Sequence, residues 1–285
     1  MPSQRAIRNR IRGVQSIAKI TRAMEMIAAL RMRRAQERGL EGRAYAEKIT
    51  QVISDLAALH TSEDVLHPLL QRREIKNIAI VQITPDRGLC GGLIGNINRR
   101  TSSFILEQAV NTSLVVVGRK GVEFMRRARQ NITAEFTNLG DRPSLLDTLP
   151  ISRIIIDDYT NGTIDGAYIA YTQFVNTLVQ KATILPILPV QPATIRASEN
   201  VDYIYEPNAD LVLNGLLPRF IEMQIHHAVL EAIASEQSAR MVAMRSATEN
   251  AQDLMSELTL VYNKVRQETI TKELLDITAG AEALA

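Results

Sequence analysis

Residues 244–265 read MRSATENAQDLMSELTLVYNKV, and the spacing of their apolar and small side chains is the strongest structural signal in the chain. These side chains follow one another at alternating steps of three and four residues, the spacing of a coiled-coil seam. They are Met244, Ala247, Ala251, Leu254, Leu258, Val261 and Val265. No proline or glycine lies between Pro218 and Gly280, and a helix over these roughly 60 residues would be about 90 Å long. The C-terminal segment 208–285 is therefore predicted to form one very long helix.

A helix with one apolar stripe needs a partner, and segment 1–60 is the only other long helix that the sequence predicts. No proline occurs between Pro2 and Pro68, and Ser3 can act as the N-cap. Apolar or small residues mark one helical face: Ile7, Ile11, Val14, Ala18, Thr21, Met24 and Ala28. We expect a helix from about residue 4 to residue 58 that pairs antiparallel with the C-terminal helix.

The two predicted helices carry opposite charge, although the whole chain has a net charge of only +2. Residues 1–43 contain eleven Arg and Lys and three acids, whereas residues 208–285 contain eleven acids and six bases. Opposite charge favours the pairing of the two helices. The surplus of positive charge at the N-terminal end predicts contact with acidic loops of a protein partner, and a solvated basic face is the plain alternative.

The middle of the chain, residues 76–206, follows a predicted linker at 61–75. Short β-rich runs alternate there with amphipathic stretches, the pattern of βαβ units. The predicted strands are 77–84, 113–118, 132–137, 166–176 and 184–190, and the predicted helices are 92–109, 120–130 and 144–159. The sequence therefore predicts the α/β class, with a Rossmann-like α/β domain inserted between the two halves of a long antiparallel two-helix coiled coil.

Several functional classes find no support in the composition. No run approaches the 18 or so consecutive apolar residues that cross a bilayer, so no direct membrane span is expected. The charged N-terminus does not resemble a signal peptide. Cys90 is the single cysteine, so no internal disulfide can form.

The glycine cluster at residues 88–92, GLCGG, lies between a predicted strand and a predicted helix, where phosphate-binding loops occur. It lacks the GxGxxG spacing and the lysine of a P-loop, so we expect a tight turn with unusual backbone angles. Cys90 is expected to pack under this turn, the alternative being a nucleophile. The four histidines show no metal-binding spacing. We therefore predict no catalytic residue, no cofactor and no metal.

The arginine clusters 5–12 and 31–38 leave two further classes open, namely binding to nucleic acid and to a membrane surface. Aromatic stacking residues are missing from both clusters, and the chain has no Trp. Neither nucleic acid nor a lipid surface is therefore the expected partner.

Three separated motifs resemble the γ subunit of F-type ATP synthases, the central rotor shaft of the F1 motor. The run 19–29, KITRAMEMIAA, followed by RRAQ at 33–36, is similar to the family's first helix. The segment 86–93, DRGLCGGL, is similar to its central glycine motif, although Pro85 and Ile94 replace the usual Ser and Asn. The C-terminal match comprises Ile270, Thr271, Glu273, Asp276, Gly280, Ala281 and Ala283.

This resemblance implies a rotor subunit without an active site of its own. The implied partners are the hexameric ring of α and β subunits, the ε subunit and the c-ring, with no homo-oligomer. Met24, Arg266 and Gln267 match positions where the family contacts the β subunits. The last residues of the chain are small and mostly apolar, and such an end is frayed by default. The alternative, at the end of a long stiff rod, is an apical tip in a hydrophobic socket, formed by Gly280, Ala281, Ala283 and Leu284.

The resemblance also implies a peripheral position on the cytoplasmic face of the cell membrane, if the enzyme is of the bacterial type. The cysteine pair of the chloroplast members is absent, so thiol regulation is not expected. Two other classes stay open on the residues alone. A coiled-coil scaffold with an α/β head would explain the heptads, and an α/β enzyme with a dimerising arm would need catalytic residues.

Overall fold

The computed structural model of the protein describes residues 3–59, 67–190 and 209–282. The helices are α1 (Gln4–Leu59), α2 (Leu93–Gln108), α3 (Arg119–Arg127), α4 (Leu145–Thr160) and α5 (Ala209–Glu282). The strands are β1 (Asn77–Ile83), β2 (Asn111–Val117), β3 (Ile132–Phe136), β4 (Gly166–Phe174) and β5 (Gln180–Leu188). A short 3-10 helix, Pro68–Leu70, precedes β1. The predicted linker 61–75 lies partly outside the described residues.

The described chain forms two compact units. The first, the helical unit, contains α1 up to Ala28 and α5 from Met241 onward. The second, the α/β unit, is Ala29–Arg240 and contains the sheet together with the rest of both long helices.

In the helical unit, α1 and α5 pair side by side and antiparallel. The hydroxyl oxygens of Thr21 and Thr248 lie 2.7 Å apart in a hydrogen bond. One turn later on α1, Glu25 accepts a hydrogen bond of 2.9 Å from Arg245 Nε. Residue numbers rise along α1 while those of its partners fall, which confirms the predicted antiparallel pairing.

The seam of α5 differs by one residue from the predicted one at alternate positions. The buried or half-buried positions along this face are Met244, Thr248, Ala251, Met255, Leu258, Tyr262 and Val265. The prediction was correct at Met244, Ala251, Leu258 and Val265 but wrong at Leu254 and Val261, which are exposed. Ala247 is half-buried, next to the buried Thr248. A single partner helix covers only a narrow stripe, and the Thr21–Thr248 hydrogen bond sets this stripe on the Thr248 side of α5.

The α/β unit contains a five-stranded sheet in the order β3-β2-β1-β4-β5. Strands β1 to β4 are parallel, and β5 adds to β4 in the antiparallel direction. This topology is the predicted Rossmann-like arrangement. Strand β5 begins at Gln180 instead of the predicted Ile184, because its polar first residues still form ladder pairs with β4.

Helices cover both faces of the sheet. On one face, α2 and α3 contribute Ile97, Phe104, Val122 and Met125 to a core with alternate residues of β1 and β2. On the other face, α4 packs together with α5, which buries Leu217, Ile221 and Ile225 against the sheet. The strands are apolar on both faces, as is typical of a parallel sheet between helix layers.

Candidate functional site

The carboxyl edge of the sheet is the place where an α/β fold of this topology would bind a ligand. The strand order reverses between β1 and β4, and open parallel sheets bind ligands at such a switch point. In this protein, α5 of the same chain fills the crevice. Val229, Ala232, Ile233 and Glu236 of α5 cover the ends of β1, β2 and β4. The remaining cavity has a volume of about 50 Å³, far below the roughly 300–1,000 Å³ of small-molecule sites.

A carboxylate of the chain occupies the anion position at the N-terminus of α3. Asp86 Oδ1 accepts the backbone N–H of Arg119 at 3.0 Å. Its other oxygen accepts the backbone N–H of Asn138, also at 3.0 Å. A helix N-terminus favours negative charge and commonly binds phosphate. Here Asp86 already satisfies that demand, so this edge of the sheet does not offer a phosphate site.

Close backbone contact seals the same edge between β1 and α3. The Thr84 hydroxyl accepts the N–H of Gly121 at 2.8 Å. Gly118 has φ of +90°, and a Cβ on this residue would overlap the carbonyl oxygen of Thr84. Both glycines are needed because α3 starts directly against the end of β1. Both glycines therefore allow close packing at this edge of the sheet, and they do not open a path for a ligand.

The glycine cluster forms the predicted tight turn with unusual backbone angles. Leu89 and Gly91 have positive φ values of 64° and 59°. Cys90 is buried beneath the turn, as predicted for a packing role. Burial raises the pKa of the Cys90 thiol, with the nearby Arg240 guanidinium acting in the opposite direction. A buried thiol with a raised pKa is a poor nucleophile.

A larger open groove lies elsewhere in the α/β unit, between α1, α5 and the end of β4. Its volume is about 440 Å³. Glu231 in its wall accepts the backbone N–H of Phe174 at 3.2 Å, so this carboxylate is already engaged. The groove is lined by Ala35, Gln36, Gly39, Phe174, Val175, His227, Leu230, Glu231 and Ala234.

The residues predicted to contact the β subunits lie on both long helices of the helical unit. Met24 is half-buried on α1, next to the Glu25 that binds Arg245. Arg266 and Gln267 are exposed on α5. The helical rise from Arg245 to Arg266 is about 30 Å. The structure therefore separates Met24 from the Arg266 position, and the two would meet different parts of a partner.

Beyond Val265, α5 is exposed on all sides as far as Ala279. Its apolar side chains in this stretch have no covering contact within the described chain: Ile270, Leu274, Leu275 and Ile277. Of the predicted tip, Gly280 belongs to α5 and Ala281 is exposed. Ala283 and Leu284 lie outside the described residues.

A second apolar stripe on α1 escaped the sequence analysis. Ile17, Ile20 and Ile27 are each at least half exposed, and Met24 falls between them at the same helical spacing. The steps of three and four residues were visible in the sequence. They run beside the stripe through Thr21 and Ala28 that faces α5, and of the exposed stripe only Met24 was included in the predicted seam. The exposed stripe surrounds Met24 with apolar surface.

Within residues 3–59, 67–190 and 209–282, the His, Cys, Asp and Glu side chains form no group of three or more that could hold a metal ion. None of the helices in this described part is both long enough and apolar enough to cross a membrane.

Known proteins with related sequences match this chain over nearly its whole length. A family model described as ATP synthase matches residues 3–284. The chain is 64% identical to the ATP synthase gamma chain of Dehalococcoides mccartyi strain CBDB1, over 100% of both chains. It is 50% identical to the ATP synthase gamma chain of Roseiflexus castenholzii, over 100% of this chain and 99% of that one.

Solved structures share the fold at low sequence identity. A chain of the Euglena gracilis mitochondrial ATP synthase, in a structure of OSCP, F1 and c-ring, aligns with a TM-score of 0.68 and 18% identity, covering 99% of this chain and 94% of that chain. A chain of the Tetrahymena thermophila mitochondrial ATP synthase central stalk and c-ring aligns with a TM-score of 0.62 and 23% identity. That match covers 80% of this chain and 99% of the other. With a full-length relative at 64% identity, the chain belongs to the ATP synthase gamma chain family.

Proposed function

We propose that this chain is the central-stalk rotor subunit of an F-type ATP synthase. It couples ion-driven rotation of a c-ring to ATP synthesis or hydrolysis at the β subunits of the catalytic ring. Its partners are the α and β subunits, the ε subunit and the c-ring. The full-length identity of 64% to an ATP synthase gamma chain carries this proposal.

The surface of the helical unit suits such a role. Its two-helix pair leaves apolar side chains exposed on α1, and α5 continues past Val265 with apolar side chains and no neighbour in the described chain. Exposed apolar surface of this extent marks protein contact. The basic charge of residues 1–43 would attract acidic loops of a surrounding ring.

The chain contributes no active site of its own under this proposal. The crevice that could hold a nucleotide in the α/β unit is filled by α5 and by Asp86. The ATP chemistry would then belong to the ring, and this chain would change the conformations of the β subunits as it turns. In a bacterial enzyme the complex would lie at the cytoplasmic face of the cell membrane, with this chain as a peripheral component.

Reconstitution with the α and β subunits tests the proposal. We expect steady ATP hydrolysis only when this chain is present, and rotation of a probe fixed to the α/β unit. Purification from the native source should yield the chain together with two homologous ATPase subunits. A homodimer alone, without those subunits, would instead support the coiled-coil scaffold.

The contact residues on α5 need a sharper test. Arg266→Ala and Gln267→Ala are expected to lower ATP hydrolysis and synthesis, because each removes a polar contact with a β subunit. Lys264→Ala is the matched control, since Lys264 is an exposed cation two residues away and faces another side of α5. Rates equal to those of the control would reject a role for Arg266 and Gln267.

Met24 tests the contact made by α1. Met24→Lys would place a charge in the middle of the exposed apolar stripe of α1 and is expected to weaken the coupling between hydrolysis and rotation. The comparison is Arg22→Lys, which preserves the charge of an exposed position on the same helix. Normal coupling in the Met24 variant would remove this residue from the contact surface.

A further inference from the structure

Polar side chains hold α5 at the point where its apolar contacts with the sheet end. From Leu213 to Ala234 the buried side chains of α5 are apolar. In the next two turns they become polar, beginning with Ser235. We name the group Glu236, Gln237, Ser238 and Arg240 the polar collar. All of its members belong to the α/β unit.

Three loops contact the polar collar, and all three leave the carboxyl edge of the sheet. They are the glycine turn after β1, the loop after β3, and the turn between β4 and β5. Each loop binds a different side chain of α5, so the helix is held from several sides. The contacts are Arg240 Nη2 to Gly88 O at 3.1 Å, Gln237 Nε2 to Asp141 Oδ1 at 3.4 Å, and Ser238 Oγ to Thr177 O at 2.9 Å.

Arg240 makes the strongest of these contacts because its charge is paired and buried. Its Nη2 lies 2.7 Å from Glu236 Oε1, and the two side chains are only 10% and 17% exposed. The same nitrogen reaches the Arg87 carbonyl oxygen at 3.5 Å. Burial raises the pKa of Glu236, and the Arg240 charge opposes this effect. Charged donors form the stronger hydrogen bonds, above all where water is excluded.

The glycine turn connects this arginine to the sheet. At its start, Asp86 binds the backbone of α3 and of Asn138. In its middle, the carbonyl group of Gly88 points to Arg240. At its end, Cys90 is buried. The turn is therefore fixed to the sheet on one side and to α5 on the other.

We propose that Arg240 is a positioning residue that locks the carboxyl edge of the sheet to α5 through the carbonyl groups of the glycine turn, so that sheet and helix resist twisting against each other. Apolar side chains permit small sliding movements of a packed helix, whereas hydrogen bonds require a defined direction. The inference rests on the proposed rotor function, because a rotor has to transmit twist between its parts.

Hydrogen exchange of the full-length chain tests the contact itself. The amides of Leu93 and Asn96 donate to the turn carbonyl groups of Cys90 and Gly92. In Arg240→Gln, exchange in residues 86–96, which include these two amides, is expected to be about tenfold faster, the effect of losing one charge-assisted hydrogen bond. Glu236→Gln/Arg240→Gln leaves no unpaired buried charge and keeps the test valid if the single variant does not fold. Arg245→Gln, at an exposed arginine of the same helix, is the control and should leave exchange in residues 86–96 unchanged.

Gly88→Ala tests whether the turn depends on the carbonyl group of residue 88 or on the absence of a side chain there. Nothing lies within 4 Å of a Cβ built on Gly88, and its φ is not positive. The carbonyl group that binds Arg240 is retained in this variant. Exchange in residues 86–96 should therefore stay close to that of the unchanged protein.

A single-molecule measurement on the complex with α and β subunits tests the mechanical role. A probe attached at Leu106→Cys, a strongly exposed position of α2, reports torsional stiffness from its thermal fluctuations, and buried Cys90 does not compete for the label. We expect lower stiffness in Glu236→Gln/Arg240→Gln than in Arg245→Gln, with ATP hydrolysis retained.

The outcomes separate this inference from the proposed function. Unchanged exchange of residues 86–96 in the Arg240 variants, or unchanged stiffness, would overturn the locking role while leaving the rotor intact. A wild-type complex that hydrolyses ATP without rotating would overturn the rotor function, and the exchange data on the free chain would still decide whether Arg240 holds the turn.

Discussion

The helical unit and the α/β unit bury their side chains in opposite ways. In the α/β unit, both faces of the sheet are covered, and residues such as Ile80, Leu114 and Ile155 have no exposed surface. In the helical unit, most of the buried side chains are small or polar, as at Thr21 and Thr248, and the large apolar ones among them are Ile7 and Met244. The larger apolar side chains of the helical unit are often exposed, for example Ile20, Leu254 and Leu260.

The two units therefore differ in the source of their stability. The α/β unit removes its own apolar surface from water and is stabilised by its own core. The helical unit leaves a large apolar area in water, which an isolated two-helix pair cannot cover. Under the proposed function, that area is covered by the ring, so mutations in the two units should act on different measurements.

The largest effect is expected from Gly118→Ala in the α/β unit. Its φ is +90°, and a Cβ there would overlap the Thr84 carbonyl group. Strain and overpacking together should lower the free energy of unfolding by about 3 kcal/mol or more. Urea unfolding followed by far-UV circular dichroism measures it. Gly140→Ala is the matched control because φ is +76° but the space is open, so the loss should be about 1 kcal/mol.

A pair of truncations tests the comparison directly. Ile155→Ala removes a fully buried side chain of α4 from the core and should cost about 2–5 kcal/mol of unfolding free energy. Leu254→Ala removes a side chain that is 40% exposed on α5, and the free chain should change by about 0.5 kcal/mol or less. Similar losses in the free chain would contradict the distinction between the two units.

Substitutions in the buried threonine pair, Thr21 and Thr248, are expected to cause an intermediate loss of unfolding free energy. Thr21→Val and Thr248→Val each leave one hydroxyl without its cross-helix partner and should each cost about 1 kcal/mol of unfolding free energy. The double variant should cost less than the sum of the two, since neither hydroxyl then remains. Thr259→Val controls for the substitution, because its exposed hydroxyl bonds only within α5. Additive losses would show that the two hydroxyl groups are not coupled.

The sequence was sufficient for the elements because their signals are local. The absence of proline between Pro2 and Pro68, and of both proline and glycine between Pro218 and Gly280, predicted the two long helices. The strands were placed within a few residues. Helix α3 is shorter than predicted, ending at Arg127 instead of residue 130, because Arg129 has a positive φ. Periodicity could also not choose between Ala247 and Thr248 for the seam, since both lie near the same face of α5 and only the partner decides.

The site was less predictable because its chemistry joins distant parts of the chain. Asp86 fills an anion position that α3 creates, and Arg240 binds a turn about 150 residues earlier. Neither contact has a sequence pattern of its own. Arg240 looks in the sequence like any cation of a long amphipathic helix, and only the fold shows that it is buried beside Glu236.

The smallest effect is expected from surface ion pairs, and it should be the same in both units. Arg245→Met breaks the pair with Glu25 in the helical unit, and Arg126→Met breaks the pair with Glu135 in the α/β unit. Each arginine is more than half exposed, so each loss should be about 0.5 kcal/mol and should fade at about 1 M salt. Urea unfolding at low and high salt measures both. Equal small losses would mean that charge does not distinguish the units. A much larger, salt-resistant loss for Arg245 would instead show that the helical unit depends on charge where the α/β unit depends on apolar burial.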